Sequence, residues 1–225
     1  PSNSSAASDV YKRQKMFAPA NEKAADLIAS DQFGRLSLIS LCYPQRVPTV
    51  AQMERYLAGE RVPEAVSFLD HLCHPVSVLL LLGGMPETLH YERSDSGAGL
   101  AAFRLPSGAI ASLALTHGAS VNGGLERTVV VSDRGQHVVV ENNVRLTLHR
   151  AAPLGYGDTP SFYAGPPEEA SAAWEPEFSL GQLYNKGLFL LGYYGEVAEF
   201  CRAVLEGRPP RKGTLEHAWQ ATRIF

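Results

Sequence analysis

With 225 residues, 45% of them hydrophobic and 19% charged, the chain can bury one large core or two small ones. A formal net charge of −3, with Lys and Arg scattered and no aromatic residues interleaved among them, gives no electrostatic reason to expect nucleic acid as a partner. The longest apolar run, residues 76–82, is far below the roughly 20 needed to cross a membrane, and no signal peptide opens the chain.

Residues 1–14 (PSNSSAASDVYKRQ) are rich in Ser, Ala and Asn and lack apolar periodicity, so they read as a disordered or extraneous leader. The folded part is expected over 15–225, with the natural protein beginning further upstream. Residues 20–30 form a short amphipathic helix that Gly34 closes. Alternation over 35–43 (RLSLISLCY) predicts a strand, broken by Pro44 and Pro48. A long helix follows over 63–82 and stops at Gly83-Gly84 with Pro86 behind. Strand-like runs then cover 88–94, 99–105, 109–118, 126–132, 136–141 and 144–150, with turns at Pro106-Ser107-Gly108 and Asp133-Arg134-Gly135.

Such short turns make the strands antiparallel neighbours, since a parallel crossover needs about a dozen residues or more. Residues 151–176 form a Gly/Pro/Ala-rich connection well beyond ordinary loop length, expected to be functional, mobile or an oligomer arm. A second long helix is expected over 179–206, ended by Gly207 and Pro209. A last helix starts at Thr214 and meets the end of the sequence without a capping signal, so a few more residues are expected there. The pattern is α+β: an open, mainly antiparallel β-sheet with helices packed on one face. Three cysteines (Cys42, Cys73, Cys201), odd in number and set among apolar neighbours, fit buried thiols in a reducing cytoplasm.

The strongest chemical signal lies in Ser67-Phe-Leu-Asp70-His71-Leu-Cys-His74-Pro-Val-Ser77. Residues three and four apart share a helix face, so Ser67, Asp70, His74 and Ser77 make one polar stripe on an otherwise apolar helix. A carboxylate and an imidazole one turn apart there must be satisfied by each other or by a ligand. If Asp70 engages one ring nitrogen, the other is free to move a proton near neutral pH. The same pair also suits a structural role, tying the helix to the sheet. Pro75 removes the hydrogen bond to the His71 carbonyl and should kink the helix beside the pair.

Asp70, His71 and His74 could instead hold a metal, although no third cluster of ligands stands nearby and the site is read as metal-free. Nucleophile motifs are absent. Gly97-Ala-Gly99 lacks a third glycine and leads into a strand, so it is a hairpin feature, and nothing in the chain is expected to bind NAD alone. Lys15 suits surface charge or a pocket, His117 suits strand-end packing or a pocket, and the tyrosines of the second long helix, Tyr194 among them, are more often core or interface groups than ligand contacts.

The order of these features resembles the Gfo/Idh/MocA oxidoreductases. Lys15-Met-Phe-Ala-Pro19 resembles that family's entry strand into its second domain. Asp70-x-x-x-His74 matches its Asp/His motif, and 103–119 resembles the strand pair crossing its substrate pocket. Phe200-x-x-Ala-Val-Leu-Glu-Gly-Arg-Pro-Pro and then Gly213-Thr-Leu-Glu-His-Ala are similar to its closing helices. The family's glycine-rich phosphate loop and the lysine of its Glu-Lys-Pro motif are missing.

The resemblance implies the C-terminal substrate-binding and oligomerisation half of a dehydrogenase acting on a sugar, inositol or related polyol. NAD or NADP would serve the intact protein, and the Rossmann domain is absent. His74 would be the general base and Asp70 its orienting partner, with Lys15, His117 and Tyr194 in the substrate pocket. Homo-oligomers would form through the open sheet face. Two other readings remain: a non-catalytic scaffold of the same fold, and a metal-dependent hydrolase or isomerase using Asp70, His71 and His74.

Overall fold

The computed structural model describes residues 13–116, 126–150, 171–176 and 186–224. The described chain opens on a 3₁₀ turn, Gln14–Phe17, followed by α1 (Pro19–Ile28), β1 (Leu36–Tyr43), α2 (Val50–Leu57) and α3 (Pro63–Gly83). Strands β2 (Thr88–Arg93), β3 (Gly99–Arg104), β4 (Ile110–Leu115), β5 (Arg127–Ser132), β6 (His137–Glu141), β7 (Arg145–His149) and β8 (Ala172–Trp174) come next. Helices α4 (Lys186–Leu190), α5 (Tyr193–Leu205) and α6 (Leu215–Ile224) complete it.

All eight strands join one sheet in the order β2-β3-β4-β1-β5-β6-β7-β8. Every neighbouring pair is antiparallel except β1 and β4, which run parallel with Leu41 opposite Leu113. That pair is separated in sequence by two helices and the β2–β3 hairpin, the long connection a parallel neighbour requires. The architecture is the expected α+β one.

Alternation along the strands sends one set of side chains toward the helices. Ile39, Leu41, Phe103, Leu113, Val130, Val138, Val140 and Leu146 pack there with Leu72, Val76, Leu79 and Leu80 of α3 in a single core. By length and composition α3 could cross a membrane, but most of its apolar stretch is buried in this core. The helix runs on through Pro75. On the opposite sheet face, register places Ala102, Ser112, Ser40, Val129, Val139 and Thr147 in one row across six strands. Leu38, Leu100 and Ile110 stand exposed beside that row.

Several expectations need correcting. Lys15-Met-Phe-Ala-Pro19 is a 3₁₀ turn running into a helix rather than a strand, with Pro19 in the first helical turn, where its missing N–H costs nothing. Arg13 and Gln14 are buried with this turn, so the fold begins before Lys15. The helix expected over 179–206 is two helices where described, α4 and α5. They are separated at Gly192, whose φ of +90° takes it out of helical geometry. Helix α2 was not expected, although Thr49 and Gln52 form a reciprocal capping box: the Thr49 hydroxyl accepts from the Gln52 amide and the Gln52 side chain accepts from that of Thr49. Within the 151–176 connection, Ala172–Trp174 extends the sheet beside β7. Residues 1–12 and 151–170 lie outside the described residues.

Candidate active site

The polar stripe of α3 runs from solvent into the core. Ser67 and Asp70 are exposed, His74 is half-buried, and Ser77 is buried with its hydroxyl donating to the His74 carbonyl at 2.7 Å. The Nδ1 of His74 is buried and makes no hydrogen bond. Asp70 therefore makes no hydrogen bond to this nitrogen. Burial is the largest influence on the ring, and the Lys15 charge the next; together they hold its pKa down to about 4. Glu126 opposes them, His71 adds to them, and Asp70 has the smallest effect of the five. The imidazole is neutral throughout the neutral range.

Lys15 supplies the cation. Only 6% of it is exposed, and its ammonium lies 2.5 Å from Glu126 Oε1 and 4.6 Å above the Tyr43 ring. Burial lowers the lysine's pKa by more than the adjacent carboxylate raises it. The second Glu126 oxygen accepts from Asn143 Nδ2. Asn21 donates from Nδ2 to Asn143 Oδ1 at 2.9 Å and to the Lys15 carbonyl at 2.8 Å. Lys15, Tyr43, Pro75, Glu126 and Asn143 line one small depression. Burial also raises the pKa of the Tyr43 phenol.

Lys15 and His74 thus come within electrostatic reach of each other, with Asp70 at the solvent end of the same helix. Tyr194 lies elsewhere: it is exposed, its ring is tilted against Phe189 at 5.9 Å, and it borders a depression with Phe17, Arg202 and Lys212. His117 lies outside the described residues. Glu126, Asn143, Asn21 and Tyr43 were missed because their partners are long-range; the Lys15–Glu126 contact spans 111 positions. No three His, Cys, Asp or Glu side chains gather as a metal site among the described residues. His71 points its Nδ1 at the Ser67 carbonyl, 2.7 Å away, and its ring centroid is 6.2 Å from that of His74.

No family model matches this sequence, and no curated protein matches it significantly. Solved structures do. A dehydrogenase from Chromobacterium violaceum matches with a TM-score of 0.66 at 19% identity, over 95% of this chain and 58% of its own. A Gfo/Idh/MocA family oxidoreductase from Vibrio cholerae matches with a TM-score of 0.58 at 10% identity, over 94% and 57%. This is the Gfo/Idh/MocA oxidoreductase fold. A levoglucosan dehydrogenase in complex with NADH and levoglucosan shares it, with a TM-score of 0.55 at 14% identity over 95% and 60%.

The chain spans less than two thirds of the length of each of these Gfo/Idh/MocA-fold structures. The Gly97-Ala-Gly99 turn does not fit a dinucleotide's pyrophosphate. Gly97 and Gly99 belong to the β2–β3 hairpin, where a Cβ would meet the Arg46 and Tyr91 side chains, and they precede a strand instead of opening a helix. What the chain does offer is a neutral imidazole with an unengaged nitrogen next to a buried ion pair.

A second buried titratable group lies behind the 3₁₀ turn. Glu196 of α5 is 6% exposed, its Oε2 has no hydrogen-bond partner, and burial outweighs Arg13 to raise its pKa to about 7. The folded state therefore holds this proton between about pH 4.5 and 7 while the unfolded chain releases it, so stability falls as pH rises through that window. Glu196→Gln should be more stable than the parent by about 2 kcal/mol at pH 8 and equal to it near pH 4.5. Urea unfolding at both pH values checks this.

Proposed function

We propose that this chain is the substrate-binding and oligomerisation half of a cytoplasmic NAD(P)-dependent oxidoreductase acting on a hydroxyl of a sugar, inositol or related polyol. The observation that carries the reading is His74, a half-buried, neutral imidazole whose buried Nδ1 is unengaged, set near an ammonium in a fold shared with dehydrogenases. Levoglucosan dehydrogenase, of the same fold, binds NADH with levoglucosan and with L-sorbose, which supports the substrate class.

In this reading His74 accepts the hydroxyl proton as the carbon gives up hydride, and Lys15 places positive charge against the oxygen as it becomes a carbonyl. Asp70, exposed one helical turn from His74, contacts a neighbouring hydroxyl. His117 and Tyr194 belong to the substrate set on the resemblance alone. NAD or NADP, held outside the described residues, supplies the hydride acceptor. Without that part of the protein the acceptor is not positioned, and the effective molarity of the reaction is lost.

The purified 225-residue chain should therefore give no nicotinamide reduction with any sugar or polyol, whereas the protein restored to the length of its structural relatives should. Turnover by the chain alone would sink the division of labour. A full-length protein inert toward every sugar and polyol would sink the substrate class.

The same proposal assigns the open sheet face to a second copy of the chain. Leu38, Leu100 and Ile110 are exposed beside a row of small and β-branched residues, the kind of apolar sheet face that a partner must cover. Sedimentation at micromolar concentration should show a dimer or tetramer, and Ile110→Lys should shift it toward monomer. A parent chain that sediments only as a monomer rules this out.

A further inference from the structure

We infer that Glu126, braced by Asn143, is a positioning residue that fixes the Lys15 ammonium beside His74. The inference rests on the oxidoreductase reading for what the ammonium would do, and on the structure for how it is held. Four separate pieces of chain converge: Lys15 from the 3₁₀ turn, Asn21 from α1, Glu126 at the entry to β5, and Asn143 from the β6–β7 turn. Asn143 has the left-handed φ of +57° and is buried, so the turn backbone itself aims its amide at Glu126. Asn21 then closes the ring back to the Lys15 carbonyl.

A buried ion pair is poor evidence for stability, because removing two charges from water costs about as much as their attraction returns. This one is buried on the lysine side and partly open at Glu126, yet it acts on His74, and Pro75, the next residue along α3, lines its depression. Left without its carboxylate, the Lys15 side chain would lose its proton to burial or turn away toward solvent. Glu126 prevents both. With the carboxylate in place, the ammonium is held against Glu126, from where its charge acts on the His74 ring. Asp70, the carboxylate picked out by spacing, is exposed and is the weakest charge acting on the ring.

The test is an NMR titration of His74 in the 225-residue chain, its resonances assigned by difference from His74→Gln. The groups acting on the ring are Lys15, Glu126, His71 and Asp70. Glu126→Gln should move the His74 midpoint above that of the parent, because the larger, opposing effect of the Lys15 charge is lost along with that of the carboxylate. Lys15→Met should also raise it, and Glu126→Asp should return it toward the parent value. An unchanged or lowered midpoint in folded Glu126→Gln overturns the inference. Should that variant fail to fold, an unchanged midpoint in Lys15→Met overturns it equally. No substrate enters the measurement. The network can therefore hold even if the full-length protein oxidises no polyol, and it can fail even if that protein does.

Discussion

Replacing His74 with alanine in the full-length protein is expected to lower kcat by about 10²- to 10⁴-fold, the range in which a positioned general base contributes. Nicotinamide binding should change little, because a general base acts on the substrate hydroxyl. The loss should fall on kcat and kcat/KM alike, as for an interaction made chiefly in the transition state. A second signature separates His74 from an exposed histidine. Burial and Lys15 keep its imidazole neutral down to about pH 4, so the acid limb of kcat/KM should lie well below pH 6.5. Steady-state kinetics of the parent and His74→Ala across pH check both points. Unchanged turnover would remove His74 from the mechanism and leave it as a packing residue of α3.

The contrast between Asp70 and Glu126 shows what the sequence could and could not reveal. Helical spacing put Asp70 and His74 on one stripe, and they do share it, but spacing along a helix says nothing of depth. Asp70 sits one turn nearer solvent, where its charge is screened. Glu126 carries the stronger influence on His74, and it arrives there through tertiary structure alone, from the edge of a strand after residues 117–125. The strands were legible because one buried face imposes alternation on β3, β4, β5 and β7 and because glycine turns punctuate them. The parallel β1–β4 pair was not, since register between distant strands is a property of the assembled core. The β6–β7 turn did carry a local signal that went unread: Asn142 and Asn143 have φ of +53° and +57°, the left-handed pair that asparagine tolerates best among residues with a side chain.

Gly192→Ala should be the most damaging single-methyl change in the described chain, and its cause lies in how α5 meets the 3₁₀ turn. At φ +90° an alanine is strained whatever the space around it, which costs about 1–3 kcal/mol. Here there is no space. The added Cβ would sit 1.9 Å from the Gln14 carbonyl oxygen and 2.6 Å from the Ala18 amide nitrogen, both backbone atoms with no rotamer to escape through. Relieving that overlap means moving α5 off the turn, at a further cost of about 1–3 kcal/mol. A combined loss of about 3 kcal/mol would lower the midpoint of thermal unfolding by about 6–12 °C for a chain of this size. The displaced turn also carries Lys15, so the ion pair with Glu126 should loosen and the His74 midpoint should rise along with the loss of stability. Calorimetry and the histidine titration on the same sample would test the two effects together. A variant as stable as the parent would mean that α5 and the turn do not approach this closely in solution.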